Sequence, residues 1–234
     1  MSAKNRPVIA SVATLQVKVC GLTRPDEAAA CAAAGANAVG CVFHPPSPRH
    51  TGRRRAAEIF AALPPTVVPV GVFVDPDFGA VMETVEIAGL RVVQLHGAES
   101  PRLVRRLQQQ GLTVIKTLFA GRAPGFESAA KYSAAAFLVE WGRGPLPGGN
   151  AETWDWRRAR GLGGDTPLVL AGGLTAANVG RAVAACRPCA VDVSSGVEQR
   201  PGRKDTVRVA TFISAVARCG PPMTSNPSNS RRIF

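Results

Sequence analysis

The sequence predicts an α/β protein folded as a single (β/α)8 barrel, the TIM-barrel architecture. Eight short apolar runs rich in Val, Phe and Leu alternate with Ala- and Arg-rich runs of helical character. The apolar runs lack the strict polar alternation of a strand with one solvent face, and strands that are apolar on both faces are typical of parallel sheets covered by helices. The chain has 234 residues, of which 46% are hydrophobic, and this is enough for one such barrel.

Eight strand-then-helix units follow one another along the chain. The predicted strands are, in order, QVKVCG, AVGCVF, VVPVGVFV, RVVQLHG, LTVIKTLF, AAFLVEW, TPLVLAGG and CAVDVSSG. The predicted helices are PDEAAACAAAG, GRRRAAEIFAAL, DFGAVMETVEIAG, SPRLVRRLQQQG, a weak one near 124–132, AETWDWRRARG, AANVGRAVAAC and one near 205–217. A doubly wound open sheet is the alternative, but no GxGxxG follows the first strand and eight units fit a barrel better.

The barrel is predicted to occupy residues 16–217. We expect residues 1–15 to form a flexible N-terminal segment and residues 218–234, rich in Pro, Ser and Asn, to form a disordered tail. No run of about 18 apolar residues indicates a membrane span, and the first residues lack the apolar stretch of a secretory signal. We therefore expect a cytoplasmic protein with no membrane partner.

Cysteine content and charge limit the classes of function. The six cysteines lack the dense spacing of a disulfide scaffold, and the single CxxC, CRPC at 186–189, favours ordinary reduced thiols over a zinc or redox site. The formal net charge is +12, but the basic residues are scattered and no aromatic platform accompanies them. A basic surface that attracts anionic substrates is favoured over a nucleic-acid partner. No long exposed apolar helix stands out, so we expect a monomer, with a dimer as the alternative.

In a barrel of this kind the chemistry lies where the strands end, on the face formed by the loops that lead into the helices. The strand ends carry, in order, Cys20, the loop FHPPSPRH, Asp75, Gln94 with His96, Lys116, Glu140, Gly172 with Gly173, and Asp192 with Ser194 and Ser195. This set contains a thiol, carboxylates and an arginine, but no cluster with the spacing of metal ligands.

Two loops of small residues predict a phosphate site. LAGGLTAAN carries Gly172 and Gly173 after the seventh strand, and DVSSG carries Ser194, Ser195 and Gly196 after the eighth. Glycine lets the backbone approach a ligand closely, and amides at a helix N-terminus bind anions. These two loops form the usual phosphate cradle of such barrels. The alternative interpretation is a pair of tight turns that only close the barrel.

Cys20 and Glu140 are candidates for acid/base chemistry. Free cysteine is often a small buried hydrophobe, but the strand-end position directs Cys20 to the open face, where a lowered pKa would make it a usable base. Glu140 ends an apolar strand, and an unpaired buried carboxylate is costly, so a role in catalysis is favoured.

Three further side chains are candidates for substrate binding. Arg49 follows three prolines on a stiffened loop and could bind a carboxylate with two parallel hydrogen bonds; the alternative is a surface arginine. Gln94 and His96 alternate along one strand and therefore share a face. For His96, a hydrogen-bonded structural role at the rim is the alternative.

The sequence resembles the phosphoribosylanthranilate isomerase family of tryptophan biosynthesis. The resemblance rests on KVCGLTRPDEA, GCVFHPPSPRH, VGVFVDPD, VVQLHGAES, LAGGLTAANV and VDVSSGVEQRPGRKD, and it extends in order over about residues 16 to 217. It implies an Amadori rearrangement of N-(5′-phosphoribosyl)anthranilate to 1-(2-carboxyphenylamino)-1-deoxyribulose 5-phosphate, without metal or organic cofactor.

The resemblance also assigns roles to residues. It implies that Cys20 removes the C2 proton, that Arg49 binds the anthranilate carboxylate and that Asp192 lies close to the substrate. It implies phosphate binding by the residues of the two small loops, Gly172, Gly173, Ser194, Ser195 and Gly196.

Two departures from the family pattern lie together. The family's general acid is an aspartate at the end of strand six, where this chain has Glu140, and the longer side chain moves the carboxyl group by about 1 Å, a shift that can change a rate on the order of 10²-fold. The following loop reads GGNAETWDW, with Asn150 and Ala151 in place of the family's Thr and Gly, and bulky Trp141 follows Glu140. The alternative functions are a diverged paralogue that acts on another phosphorylated amino-sugar or aryl-amine adduct, and a barrel that binds a phosphosugar without catalysis.

Overall fold

The computed structural model describes residues 14–142, 152–220 and 233–234. Eight parallel strands form a closed barrel in which each strand pairs with the next and the eighth pairs with the first. The strands are β1 Gln16–Cys20, β2 Ala38–Phe43, β3 Val68–Phe73, β4 Val92–Leu95, β5 Thr113–Phe119, β6 Ala136–Glu140, β7 Leu168–Leu170 and β8 Ala190–Val193. The prediction of a (β/α)8 barrel is confirmed. A short hairpin of β9 Glu198–Arg200 and β10 Arg203–Lys204 follows β8.

Six α-helices among the described residues cover the barrel, and local sequence explains where several of them begin. They are α1 Pro25–Ala33, α2 Arg53–Ala61, α3 Phe78–Ala88, α4 Pro101–Gln108, α5 Val179–Cys186 and α6 Thr206–Ala217. The side chains of Asp77, Ser100 and Asp205 accept hydrogen bonds from free backbone N–H groups in the first turns of α3, α4 and α6. Pro25 and Pro101 lie in the first turns of α1 and α4, where their missing N–H costs nothing.

Two of the eight predicted helices are short 3₁₀ helices instead. The weak helix predicted near 124–132 is a 3₁₀ helix at Phe126–Lys131, and the one predicted in AETWDWRRARG is a 3₁₀ helix at Trp156–Ala159. Each is bounded by residues that do not continue a helix, since Gly125 precedes the first in an extended conformation and Gly161 follows the second with a left-handed φ of 76°. These two elements flank β6.

Side chains of the strands alternate between the barrel interior and the surrounding helices. On β1, Val17 and Val19 pack with the helices, whereas Cys20 belongs to an interior cluster. That cluster is apolar in its lower part, toward the amino ends of the strands; its members include Ala38, Val70, Val92, Ile115, Ala136 and Ala190. The upper part of the interior, at the carboxyl ends, carries the polar residues described below.

Two residues from the end of the chain pack against the amino end of the interior. Ile233 and Phe234 contact the interior cluster, and the backbone N–H of Ile233 donates to Gln16 Oε1 at 2.7 Å. Gln16 Nε2 in turn donates to the Phe234 carbonyl. The sequence did not predict this contact for the segment 218–234. The predicted division into residues 1–15, 16–217 and 218–234 remains a prediction.

Within the described parts of the chain, no helix is long and apolar enough to cross a membrane. Over the same residues, no group of three or more His, Cys, Asp or Glu side chains is placed to hold a metal ion.

Candidate active site

The thiol of Cys20 lies on the inner face at the carboxyl end of β1, beside a buried ion pair. Cys20 is 8% exposed. Lys18, two residues earlier on the same face, is completely buried, and its Nζ donates to Asp192 Oδ1 on β8 at 2.9 Å. Lys18 and Asp192 are direct neighbours in the β1–β8 register, so the barrel itself fixes this pair. The structure thus brings two predicted residues, Cys20 and Asp192, together through a lysine that the sequence analysis did not identify.

Opposing effects act on the protonation of the thiol. Burial raises the pKa of the Cys20 thiol above its ordinary value, and the positive charges of Lys18 and Lys204 counteract part of this increase. Burial alone would lower the pKa of Lys18, but the charges of Asp192 and Cys20 outweigh it, so this pKa is raised. Lys18 is therefore a permanent cation beside the thiol.

Glu140 reaches across the barrel mouth to a histidine. Its Oε1 lies 3.2 Å from His96 Nε2, and both side chains are buried. Gln94 Nε2 and Thr117 Oγ1 lie 2.8 and 2.9 Å from His96 Nδ1. With the Gln94 amide in this orientation, His96 Nδ1 is an acceptor and His96 Nε2 donates to Glu140. The structure thus brings three predicted residues, Gln94, His96 and Glu140, into one hydrogen-bonded chain.

Arg49 is held by a carboxylate that the sequence analysis did not identify. Its Nε and Nη2 donate to the two oxygens of Glu198, at 2.9 and 2.7 Å. Lys204 Nζ donates to the same carboxylate at 2.7 Å. Burial alone would raise the pKa of Glu198, but Arg49 and Lys204 outweigh it and lower the pKa below its ordinary value. Arg49 is 6% exposed, which excludes the alternative of a surface arginine.

The position of Arg49 next to the barrel mouth follows from its neighbours. A Cβ atom on Gly21, the residue after Cys20, would lie 2.6 Å from Arg49 Cδ and 3.2 Å from Ser194 Oγ. Gly21, with φ of 79°, therefore leaves the space in which the arginine and the serine meet. Lys204 Nζ lies 3.3 Å from the same Ser194 Oγ.

The two predicted phosphate loops pack against each other at the ends of β7 and β8. A Cβ atom on Gly196 would clash with the Leu174 carbonyl, so only glycine allows this approach. Asn178 supports the first loop, since its Nδ2 donates to the Gly173 carbonyl and its Oδ1 accepts from Thr175 N–H, both at 2.8 Å. The backbone N–H of Gly173 has no hydrogen-bond partner among the described residues. An anion-binding role for the loops stays a prediction.

Asp75 and Lys116, the other strand-end candidates, lie outside this constellation. Lys116 faces the helices, where its Nζ donates to Glu99 Oε2 at 2.8 Å and to the Gly97 carbonyl at 2.7 Å. Asp75 accepts from Ala98 N–H at 2.6 Å. Both side chains tie the loop after β4 to its neighbours and have structural roles.

Trp141 directly follows Glu140, the last residue of β6. Its side chain is partly buried against the apolar layer between strands and helices. Asn150 and Ala151, the loop positions that depart from the family pattern, lie outside the described residues. Trp154, which the sequence analysis did not single out, donates from Nε1 to the Ala171 carbonyl at 3.1 Å, behind Gly172.

The fold and the site define a class: a (β/α)8 barrel whose carboxyl end combines a buried thiol, a carboxylate paired with a histidine, and a positively charged wall. A family model described as N-(5′phosphoribosyl)anthranilate (PRA) isomerase matches residues 17–215. A curated relative named N-(5′-phosphoribosyl)anthranilate isomerase, from Desulfatibacillum aliphaticivorans, is 49% identical over 206 residues, which cover 88% of this chain and 94% of the relative.

Solved structures give the same result. The crystal structure of phosphoribosyl anthranilate isomerase from Thermus thermophilus has a TM-score of 0.78 and 36% identity, covering 87% of this chain and 99% of that one. A phosphoribosyl anthranilate isomerase in complex with reduced 1-(o-carboxyphenylamino)-1-deoxyribulose 5-phosphate has a TM-score of 0.74 and 35% identity, covering 87% and 98%. The chain belongs to the N-(5′-phosphoribosyl)anthranilate isomerase family, and the resemblance noted from the sequence is confirmed.

Proposed function

We propose that the protein catalyses the Amadori rearrangement of N-(5′-phosphoribosyl)anthranilate to 1-(2-carboxyphenylamino)-1-deoxyribulose 5-phosphate, as a step of tryptophan biosynthesis. Family membership over residues 17–215 supports this activity. The observation that carries the residue-level mechanism is that a thiol and a carboxylate lie on the inner face at the same end of the barrel, each with its own polar partners. A diverged activity and a non-catalytic phosphosugar barrel, the two alternatives from the sequence, receive no comparable support.

The first step needs an acid. Glu140 in its protonated form donates a proton to the ribose ring oxygen, the ring C–O bond breaks, and an iminium ion forms. His96 can form a hydrogen bond with Glu140 in both protonation states of the carboxyl group. With Nε2 protonated, His96 donates to the carboxylate. If the Gln94 amide turns over, its Oε1, buried and without a partner among the described residues, accepts from Nδ1–H. His96 Nε2 then accepts the proton of the acid form.

The second step needs a base. The Cys20 thiolate removes the C2 proton, so that an S–H bond forms, the C2–H electron pair becomes a C=C bond and the iminium nitrogen is neutralised. The resulting enolamine tautomerises to the ketone. Because the thiol acts only on a proton, no covalent adduct between sulfur and substrate is required.

The positive side of the mouth accounts for binding. Arg49 Nη1 makes no hydrogen bond to a described residue, and with Nη2 it offers one edge to the anthranilate carboxylate while Glu198 holds the other edge. The loops at Gly172–Gly173 and Ser194–Gly196 offer backbone amides to the 5′-phosphate. We assign the contacts to the part of the substrate between its two anionic groups to Asp192, Gln94 and His96. This arrangement suits a small substrate with an anionic group at each end.

The test is the steady-state rate of the purified protein on phosphoribosylanthranilate generated in situ, followed by the loss of substrate fluorescence. Turnover, together with restored growth without tryptophan of an isomerase-deficient host, is the expected result. Absence of both would overturn the proposal. Turnover of a different aminated phosphosugar, with little on the anthranilate adduct, would favour a diverged paralogue. Ligand-induced thermal stabilisation without turnover would favour the binding barrel.

The remaining expectations concern the setting of the reaction. We propose that the enzyme acts in the cytoplasm, as a monomer or a dimer, on a freely diffusing phosphorylated substrate. Sedimentation of the purified protein would distinguish the two oligomeric states.

A further inference from the structure

The thiol and the buried lysine of β1 meet at one point of the barrel wall. Gly40 on β2 is the direct neighbour of Cys20 in the strand register. A Cβ atom on Gly40 would lie 3.0 Å from Cys20 Sγ and 3.2 Å from both Cε and Nζ of Lys18. The sulfur and the ammonium group therefore pack over the same glycine, where the positive charge of Lys18 acts on the thiol.

This lysine differs from the other completely buried lysine of the barrel wall. Lys116 on β5 donates to Glu99 and to two backbone carbonyls, so that its donors are satisfied by fixed acceptors on the outer face. Among the described residues, Lys18 Nζ donates to one acceptor, Asp192 Oδ1, and it packs with Cys20 Sγ over Gly40. The electrostatic attraction between an ammonium group and a neighbouring thiol is strongest when the thiol is ionised.

We propose that Lys18 is a positioning residue of the isomerase: anchored by Asp192, its ammonium group fixes the Cys20 side chain and serves as the counter-ion of the thiolate. This inference rests on the proposed role of Cys20 as the base. Lys18 keeps its three protons throughout. When the thiolate takes the C2 proton, the negative charge beside Lys18 disappears, and it returns when the thiol loses that proton before the next turnover.

Other charged and titratable groups also face the thiol. They are Asp192 on β8, whose carboxylate opposes ionisation, and Lys204 on β10, whose charge favours it. Lys204 is itself engaged by Glu198 and Ser194. Lys18 is therefore the cation most closely associated with the sulfur.

The experiment measures the rate at which iodoacetamide alkylates Cys20 as a function of pH, in the ligand-free protein, by mass spectrometry of the peptide that contains Cys20. For Lys18→Met we expect the midpoint of the pH profile to move up by about one unit or more, which lowers the alkylation rate about tenfold at pH 8. Lys18→Arg, which keeps the charge, should have a midpoint close to that of the wild-type protein. Lys116→Met is the matched control, because it removes an equally buried lysine on the other side of the wall and should leave the profile of Cys20 unchanged.

Steady-state kinetics distinguish a positioning role of Lys18 from a contribution to the overall stability of the fold. Lys18→Met should lower kcat about tenfold or more with little change in KM, and its pH–rate profile should move to higher pH with the alkylation profile. An unchanged midpoint in a folded Lys18→Met protein would overturn the proposal, as would an equal shift in Lys116→Met. If Lys18→Met does not fold, Lys18→Gln, which keeps a hydrogen-bond donor but no charge, gives the same comparison. Since alkylation is measured without substrate, its outcome is independent of whether the proposed isomerase activity is found.

Discussion

The two ends of the barrel interior carry different kinds of side chain, polar at the carboxyl end and apolar at the amino end. At the carboxyl end, β1, β6 and β8 present Lys18, Cys20, Glu140 and Asp192 toward the axis, all of them buried and most of them hydrogen-bonded. At the amino end the interior is formed by apolar side chains, among them Ala38, Val70, Val92 and Ala190, and Ile233 and Phe234 pack against them.

This difference shows that the same barrel places its candidate catalytic residues at one end of the axis and its apolar, stabilising residues at the other. Burying polar groups at the carboxyl end costs free energy that hydrogen bonds only partly recover, whereas apolar burial at the amino end is directly favourable. Substitutions at the first end should therefore change rates, and substitutions at the second should change the free energy of unfolding.

Replacement of Cys20, the proposed base, should have the largest effect on activity. We expect Cys20→Ser to lower kcat/KM by about 10²- to 10⁴-fold, because a hydroxyl group ionises far less readily than a thiol. Cys41→Ser is the matched control, since Cys41 packs on the outer side of the neighbouring strand and donates to the Leu22 carbonyl. Equal losses in the two variants would refute the assignment of Cys20. The measurement is the fluorescence assay, with circular dichroism to compare folding.

Replacement of Glu140, the proposed acid, should have the next largest effect on activity. Glu140→Gln retains a hydrogen bond to His96 but has no proton to transfer, so we expect kcat to fall about 10²-fold or more. Glu140→Asp keeps the acid but shortens the side chain, and displacement of the carboxyl group by about 1 Å should change kcat by at most on the order of 10²-fold. A Gln variant with the wild-type rate would show that another group protonates the ring oxygen.

The pH dependence follows from the burial of the base. Because burial raises the pKa of Cys20 above its ordinary value of 9.0, and because only the deprotonated form accepts the C2 proton, kcat/KM should rise with pH over the neutral range. The expected increase is about tenfold per unit until the thiol ionises. A rate that levels off below pH 8 would contradict this, and initial rates in buffers of equal ionic strength provide the check.

Replacement of Arg49, the proposed ligand of the substrate carboxylate, should have a smaller effect, which falls on KM. Arg49→Lys keeps a positive charge but cannot hold Glu198 and the substrate carboxylate at once through two parallel hydrogen bonds. Loss of one charged hydrogen bond, about 1.5 to 3 kcal/mol, corresponds to an increase in KM of about 10- to 100-fold. A change in kcat alone would place Arg49 in the chemical step instead.

Replacements at the amino end should have the smallest effect on rate. We expect Val70→Ala to lower the free energy of unfolding by about 1 to 3 kcal/mol, because its side chain is fully buried in the interior cluster. Phe234→Ala should lower it by less, since Phe234 is only half-buried. Both should retain kcat within about twofold. Urea unfolding compared with the fluorescence assay would reveal any coupling between the two ends.

Much of this site could be predicted from the residues at the carboxyl ends of the strands. Cys20, His96, Glu140 and Asp192 were found because a parallel barrel brings the last residues of all its strands to one face. Lys18 carried the same signal, two residues before Cys20 on the same strand face. It was missed because a lysine in an apolar strand is usually assigned to the surface.

Glu198 and Lys204 could not be found in this way. Their partner Arg49 is about 150 positions earlier in the chain, and only the closed barrel brings β2 and the segment after β8 together. The two 3₁₀ helices were missed for a local reason: alanine- and arginine-rich runs favour a helix, but neighbouring glycines leave too few residues to build one.

These two 3₁₀ helices lie before and after the strand that carries Glu140, and each is held by fewer backbone hydrogen bonds than an α-helix such as α6. Backbone segments with few packed neighbours open locally at low free energy, long before the whole protein unfolds. Amide hydrogens of β6 should therefore exchange with solvent sooner than those of β1 or β2, which lie under the longer helices α1, α2 and α6. The glutamate that replaces the family's aspartate thus lies on the strand whose two neighbouring elements are 3₁₀ helices.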